Sequence, residues 1–247
     1  MSLRSFGLKP WHAVFFIVAL TVCAIALAPI SLLLPQRPGV LTYERAEGAI
    51  WSAKLHGVRI GDLDAGIVDW RFDPSPILSG ALGGRLTFNG QQLRGDLAIT
   101  YGADGVRRIR SDRLTVRDAS VFKTPVKGET TASGLDIAFA KDACATAAGA
   151  LKSDLADRPA GLQIPALSLS GTALCGDAEA WLPLEGDAGG ERVRIVIALR
   201  ANGEAKWQAD IVPASVESAA ALTLAGFAAA PGEPYLRQTR TFRWLPF

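Results

Sequence analysis

Residues 11–34 contain no Asp, Glu, Lys or Arg. After Trp11 the run is Ala, Val, Ile, Leu and Phe, interrupted only by His12, Thr21, Cys23, Pro29 and Ser31. About 20 apolar residues suffice to cross the hydrocarbon of a bilayer as a helix. The stretch therefore predicts a membrane anchor over 11–34, with Trp11 at the interface and Phe15, Phe16, Leu20 and Leu34 among its apolar positions. Arg4 and Lys9 precede it, while only Arg37 follows closely. More positive charge before the span than after it puts residues 1–10 in the cytoplasm and the body of the chain on the other side. A cleaved signal peptide competes, because Ala26, Leu27 and Ala28 form a small-x-small pattern. Cleavage there would leave Pro29 as the first mature residue, and the run is long for a signal core, so an uncleaved anchor is expected. Pro29 and Pro35 should kink or end the helix near its outer face.

The body, 40–230, is long enough for one domain with a real core, with a soft division near 125–133 (halves 40–125 and 133–230) and a tail at 231–247. Lys and Arg number 26 and Asp and Glu 24, for a net charge of +2. Such mixed, nearly balanced charge argues against nucleic acid as a partner. The one basic cluster, Arg107, Arg108, Arg110 and Arg113, reads as the solvated face of a strand, with a lipid headgroup or acidic partner as the other reading. Cys23 lies within the apolar run, leaving Cys144 and Cys175 in the body. In an oxidising periplasm these two can form one disulfide. Closing a loop of about 30 residues stabilises a fold by roughly 3 kcal/mol in the chain-entropy model.

After the anchor, helical periodicity is weak. Short apolar alternations are cut by Gly, Asn-Gly and Pro about every ten residues, the pattern of an all-β domain. The expected fold is mostly β: one N-terminal helix, then a curved antiparallel meander, open-barrel-like, whose oily face must be covered by the sheet itself or by a second one.

Two hairpins can be registered from sequence. In 84–100, a two-residue turn at Asn89 and Gly90 sets Phe88 opposite Gln91, Leu86 opposite Leu93 and Leu82 opposite Leu97. Leu82, Leu86, Phe88, Leu93, Leu97 and Ile99 then share one face, while Arg85 faces Arg94 on the other. In 191–212, a two-residue turn fails, because Trp207 would leave the face of Val193, Ile195, Ile197 and Leu199. A three-residue loop of Ala201, Asn202 and Gly203, with Gly203 left-handed, repairs it. Ile197 then faces Trp207, Val193 faces Ile211, Arg200 faces Glu204 and Arg194 faces Asp210. Further strands are expected at 49–55, 58–60, 65–72, 106–116, 134–140, 146–151, 167–173, 178–184 and 219–226. A helical turn is expected within 74–83, and a partly extended tail after Pro231.

No arrangement of residues promises catalysis, and the chain is expected not to be an enzyme. There is no Gly-x-Ser-x-Gly elbow. Gly80, Gly83 and Gly84 lack the Lys and Ser/Thr of a phosphate loop and read as turn glycines. His12 and His56 have no partner at zinc-ligand spacing, and no metal or cofactor is expected. Asp62 and Asp64 could hold calcium weakly, but a solvated turn is the better reading; Asp136 and Asp142 are similarly plain. Trp51, Trp70, Trp181, Trp207 and Trp244 read mainly as sheet covering. A sharper reading has some of them lining an open groove for a strand or a lipid.

One constellation goes further. Gly48, Ala49, Ile50, Trp51 and Ser52, then Val58, Arg59, Ile60 and Gly61, then Gly66, Ile67, Val68, Asp69, Trp70, Arg71, Phe72, Asp73 and Pro74, then Leu78, Ser79 and Gly80, resemble the type II secretion system protein N family, also called general secretion pathway protein N. The motif positions are Gly48, Trp51, Gly61, Gly66, Trp70, Pro74 and Gly80. The resemblance covers the anchor and 40–100 well and the second half loosely, and includes no catalytic residues. It implies an accessory component of the machine that exports folded proteins across the outer membrane. Such a component would be single-pass in the bacterial inner membrane, with its bulk in the periplasm. Its partners would be other components, the inner-membrane platform or the secretin, met by edge-to-edge strand addition. The short strands also resemble AsmA-like periplasmic grooves, which implies lipid binding or transfer as the alternative.

Overall fold

The computed structural model describes residues 10–32, 36, 41–61, 63–103, 105–117, 120–121, 124–125, 128–155 and 167–243. A helix, α1 (Pro10–Ala26), comes first, followed by a 3-10 turn at Ile30–Leu32. The strands are β1 (Leu41–Thr42), β2 (Arg45–Ala49), β3 (Ser52–Ile60), β4 (Leu63–Asp73), β5 (Ala81–Asn89), β6 (Leu93–Gly102), β7 (Gly105–Arg117), β8 (Ser120–Val121), β9 (Thr124–Pro125), β10 (Gly128–Ala140), β11 (Ala143–Leu155), β12 (Leu167–Thr172), β13 (Leu174–Cys175), β14 (Ala180–Ala188), β15 (Glu191–Leu199), β16 (Glu204–Val212), β17 (Ala228–Ala229) and β18 (Leu236–Arg243). A second helix, α2 (Val216–Leu224), lies between β16 and β17.

Sixteen of these strands form one antiparallel sheet whose order follows the chain, except that β2 and β13 pair off the main path with β3 and β14 and that β18 precedes β17 at the end. Among the described residues, β8 and β9 pair only with each other. The sheet is open, with β1 and β2 at one edge and β18, capped briefly by β17, at the other. It runs unbroken through β10, which pairs with β7 on one side and β11 on the other, across the division expected near 125–133. The apolar side chains gather in two clusters, one around Leu55, Val58, Val68 and Phe88, the other around Ile109, Ile137, Leu169 and Leu184. Leu97 packs against both.

A single sheet can bury one face only by bending over it. Here the bend brings the β15–β16 turn back to β7: the Val106 amide donates to the Ala201 carbonyl at 2.8 Å. The approach is close enough that a Cβ on Gly105 would lie 2.4 Å from that oxygen. Ala201 and Val106 are buried as a result.

The 191–212 hairpin has the register expected from its charges and apolar positions. Ile197 pairs with Trp207, Val193 with Ile211 and Arg194 with Asp210; the Arg200 amide meets the Glu204 carbonyl at 2.9 Å, and Gly203 has φ +82°. The 84–100 hairpin differs. Leu86 pairs with Leu97, Phe88 with Gly95 and Leu82 with Tyr101, and the reversal sits at Gln91 and Gln92, closed by the Gly90 amide on the Leu93 carbonyl. Contacts from the neighbouring β4 override the Asn-Gly preference. Gly90 lies so close to Asp64 and Ala65 that a Cβ would meet the Asp64 oxygen at 2.5 Å, and the Gln92 side chain accepts from the Asp64 amide at 2.7 Å. The shift moves the turn by two residues, so every side chain keeps its face. Arg85 therefore stands opposite Ala98 and Arg71 rather than Arg94.

Residues 219–226, expected as a strand, belong instead to α2 and its C-terminal turn. Ser215 caps the helix by accepting from the Ser218 amide at 3.1 Å, and Ala219, Ala220 and Ala221 favour helix over sheet. The tail folds into β18, which pairs with β16 along its whole length.

The first helix is shorter than the run that announced it. It has 17 residues, about 26 Å at 1.5 Å per residue, and among the described residues no helix is long and apolar enough to cross a membrane. The proline explains the stop. Pro29 lacks an N–H, its ring opposes the carbonyl four residues back, and it disfavours helix at Ala28. Ile30, expected to lie in lipid, is instead 2% exposed in the first apolar cluster of the sheet.

Candidate functional site

The helix ends in a seat made by the turn between β2 and β3. The Trp51 indole donates to the Ala26 carbonyl at 3.1 Å and the Ile50 amide to the Ala28 carbonyl at 3.0 Å. Pro29 forms a bridge with Ala49, and Ile30 inserts behind it. Trp51 itself stands edge-on to Phe72, with ring centroids 5.0 Å apart and an interplanar angle of 83°. It remains 41% exposed. Gly48 permits the tight turn: its φ is +96°, and a Cβ there would meet the Ser52 carbonyl at 2.4 Å.

Of the other motif residues, Trp70 braces this seat, while Gly61 and Gly66 lie at the opposite rim of the sheet. The Trp70 indole donates to the Ile50 carbonyl at 2.7 Å, and the outer edge of its six-membered ring packs against Gly84, where a Cβ would fall 1.8 Å from Cη2. Gly66 takes part in a bulge, facing Asn89 together with Ile67. The Asp64 carboxylate accepts from the Gly66 amide at 2.8 Å, so Asp64 serves this bulge. Its neighbour Asp62 lies outside the described residues, as do Leu34, Pro35 and Trp244. Gly61 turns β3 into β4. Pro74 and Gly80 flank a 3-10 turn at Ser75–Ser79, the helical turn expected within 74–83. The Asp73 carboxylate holds its start through the Ser75 amide and hydroxyl at 2.9 and 2.7 Å. The turn is bare: Leu78 is 98% exposed, and Ile77, Leu82 and Tyr101 are also exposed. Ile77, Leu82 and Tyr101 line an apolar hollow of about 400 Å³.

On the helix, Trp11, Phe15, Phe16 and Leu20 all point outward, each well over half exposed. Several acidic and basic positions elsewhere pair with one another. Arg108 grips Asp136 with two bonds of 2.8 and 2.7 Å, and Arg110 approaches it at 3.4 Å. The Arg108 hydrogen bond, more than the surrounding charge, holds the Asp136 carboxyl below its ordinary value. Arg107 donates to the Ser79 carbonyl at 2.8 Å. The basic cluster is thus largely committed within the fold.

At the far edge, Arg237 binds Asp210 at 2.7 and 3.0 Å and lies over the Tyr235 ring, 4.9 Å from its centre. Burial pushes the Asp210 carboxyl up. The bonds from Arg237 and Gln208 and the charges of Arg237 and Arg194 outweigh it, leaving the pKa lowered. Beyond Arg237, the outer side of β18 has no strand partner among the described residues.

Cys144 and Cys175 form the expected disulfide, with Cα atoms 5.5 Å apart, while Cys23 is free on the helix. Among the described residues no group of His, Cys, Asp and Glu is placed to hold a metal; the His56 ring has Glu47 as its acidic neighbour, at 3.8 Å. Trp181 caps Gly176 and donates to Glu179 at 3.2 Å. Trp51, Trp70 and Trp181 thus close turns or cover glycines. That role needs glycines set opposite them by tertiary pairing, which the spacing Trp70 to Gly84 does not announce.

The family model of the type II secretion system (T2SS), protein N, matches residues 40–237. The chain belongs to that family. Protein N family membership makes it an accessory component of type II secretion, associated with the cell envelope and working with other components of that system. Neither a curated protein nor a solved structure matches the chain.

Proposed function

We propose that this protein N family member is held in the bacterial inner membrane by α1, with residues 1–10 cytoplasmic and the sheet in the periplasm. There it assists secretion through protein–protein contacts and catalyses no reaction. The observation that carries this reading is a charge-free helix with outward apolar side chains, bonded at its end to a sheet that keeps one long edge open. A helix of about 26 Å is slightly short for a hydrocarbon layer of about 30 Å, a mismatch that local thinning accommodates at modest cost. The disulfide fits an oxidising compartment.

The outer side of β18 is the contact edge in this reading. Unpaired backbone groups on an edge strand are a template for a partner strand, and the charge of Arg240 discourages indiscriminate pairing. The partner is a strand of the inner-membrane platform or the secretin. The lipid-groove alternative has weaker support. Leu135, Ile137, Leu169 and Leu184 on the oily face are buried by one another, which leaves them no open surface to offer an acyl chain.

The test is a photo-crosslinking amino acid at Thr239 or Thr241 in cells assembling the secretion machine. Adducts with a platform protein or the secretin are expected. Adducts confined to lipid, or none from either position while a probe on α1 labels its surroundings, would refute the edge contact. Extraction of the full chain by alkaline carbonate would refute the anchor.

A further inference from the structure

We infer that the rim of the sheet from which the helix departs rests on the bilayer surface, with Leu78 set among the lipid headgroups. This rests on the reading that α1 is embedded in the membrane.

Pairing places the relevant residues on one rim. Trp51 lies in the β2–β3 turn, and the Phe72 amide donates to its carbonyl, so the end of β4 is beside it. Asp73 pairs with Gly83, and Ala81 pairs with Gly102. The 3-10 turn bearing Ile77 and Leu78, the start of β5 with Leu82, and the end of β6 with Tyr101 therefore all face the end of the sheet that holds Ala26. Neighbouring strands are about 4.8 Å apart, so three spacings from β3 to β6 put the patch within roughly 15 Å of the helix seat.

Water is a poor neighbour for these residues. Leu78 is 98% exposed, and Ile77, Leu82 and Tyr101 flank it around the apolar hollow. Contiguous exposed apolar surface marks an interaction site. Its occupant is named by continuity: the patch adjoins the foot of a helix whose exposed residues include the large apolar Val14, Phe15, Phe16, Ile17 and Leu20. Trp51 and Tyr101 suit the headgroup level, where aromatic residues with a polar tip concentrate. Arg107, bonded to the Ser79 carbonyl, brings a positive charge to the same level as lipid phosphates. The seat fixes the geometry, because the bonds from Trp51 and Ile50 and the burial of Ile30 leave no slack between helix and rim.

The test uses the full chain in vesicles of phosphatidylethanolamine and phosphatidylglycerol carrying nitroxide-labelled lipid. A fluorophore is placed on native Cys23, or, in a Cys23→Ser background, on Leu78→Cys or on Gln91→Cys at the opposite rim. Strands of nine or ten residues separate the rims by about 30 Å, so position 91 reports the distance expected of a domain held clear of lipid. Quenching at Cys23, with quenching at position 78 several-fold above that at position 91, is the expected result. Quenching at Cys23 with position 78 no higher than position 91 overturns the inference and leaves the anchor standing. No quenching at Cys23 overturns both. Concentration-dependent shielding of position 78 without nitroxide quenching assigns the patch to a second copy of the chain and also overturns it.

Discussion

Removing the disulfide by the paired substitution Cys144→Ala and Cys175→Ala should cost the fold about 3.7 kcal/mol. The cysteines are 31 residues apart, and the chain-entropy relation for a loop of that size gives about 12 cal/mol/K, or about 3.7 kcal/mol at 25 °C. The structure adds a reason to expect most of that value. β13 is only two residues long and, among the described residues, pairs only with β14, so the bond to Cys144 on β11 ties this strand across the sheet. In a domain of this size each kcal/mol moves the melting temperature by roughly 2–4 °C, which predicts a fall of roughly 7–15 °C. The assay is urea unfolding of the full chain in detergent, followed by tryptophan fluorescence, with and without a reductant. Reduction should reproduce the loss in the unsubstituted chain and do nothing to the variant. A loss under about 1 kcal/mol would show that β13 is held without the cross-link, and the reasoning would fail.

Gly84→Ala should destabilise by about 1–3 kcal/mol through overpacking, since its Cβ would occupy the place of the Trp70 ring. A double variant with Trp70→Leu should recover part of the loss in the same urea assay, and an equal or larger loss would sink the explanation. Trp51→Phe keeps a ring against Phe72 but removes the bond to the Ala26 carbonyl, worth about 1 kcal/mol. Hydrogen exchange should quicken at Leu27 and Ile50 and leave β14 unchanged; uniform acceleration would contradict a local seat. The Asp136 carboxyl, held low by Arg108, contributes stability that is complete above the ordinary carboxylate pKa of about 4 and is lost as pH falls through its lowered value. Asp136→Asn should therefore flatten the acid limb of stability against pH while leaving its slope above about pH 6 unchanged, as read from urea midpoints across that range.

Much of the β architecture is legible in the residues themselves. The hairpin of β15 and β16 is the clearest case, because its apolar pairs and its Arg–Asp and Arg–Glu pairs demand one register together. The disulfide is legible from cysteine count and compartment. The turn of β5 and β6 is not, because Gly90 answers to the neighbouring Asp64 and Ala65 rather than to local turn preference. Nor is α2, where alanines are neutral to a pattern reading and the Ser215 cap decides. Ile30 is the instructive miss at the candidate site: a hydropathy run cannot separate a residue facing lipid from one facing protein. The Pro29 interruption is the signal that could have found it. The exposed patch around Leu78 was invisible for a related reason, since solvent exposure of an apolar residue depends on which turn carries it.

The sheet's order carries a consequence for how the molecule is made. Since neighbours in space are almost everywhere neighbours along the chain, each newly emerged segment finds its docking site already waiting, and early portions need not idle in an unfolded state. Sheets whose neighbouring strands are adjacent in the chain assemble faster than those built from distant pairings. The exceptions are the return of Ala201 to β7 and the late arrival of β18 against β16; these closing events are where a stalled or truncated polypeptide would stop short of its mature form.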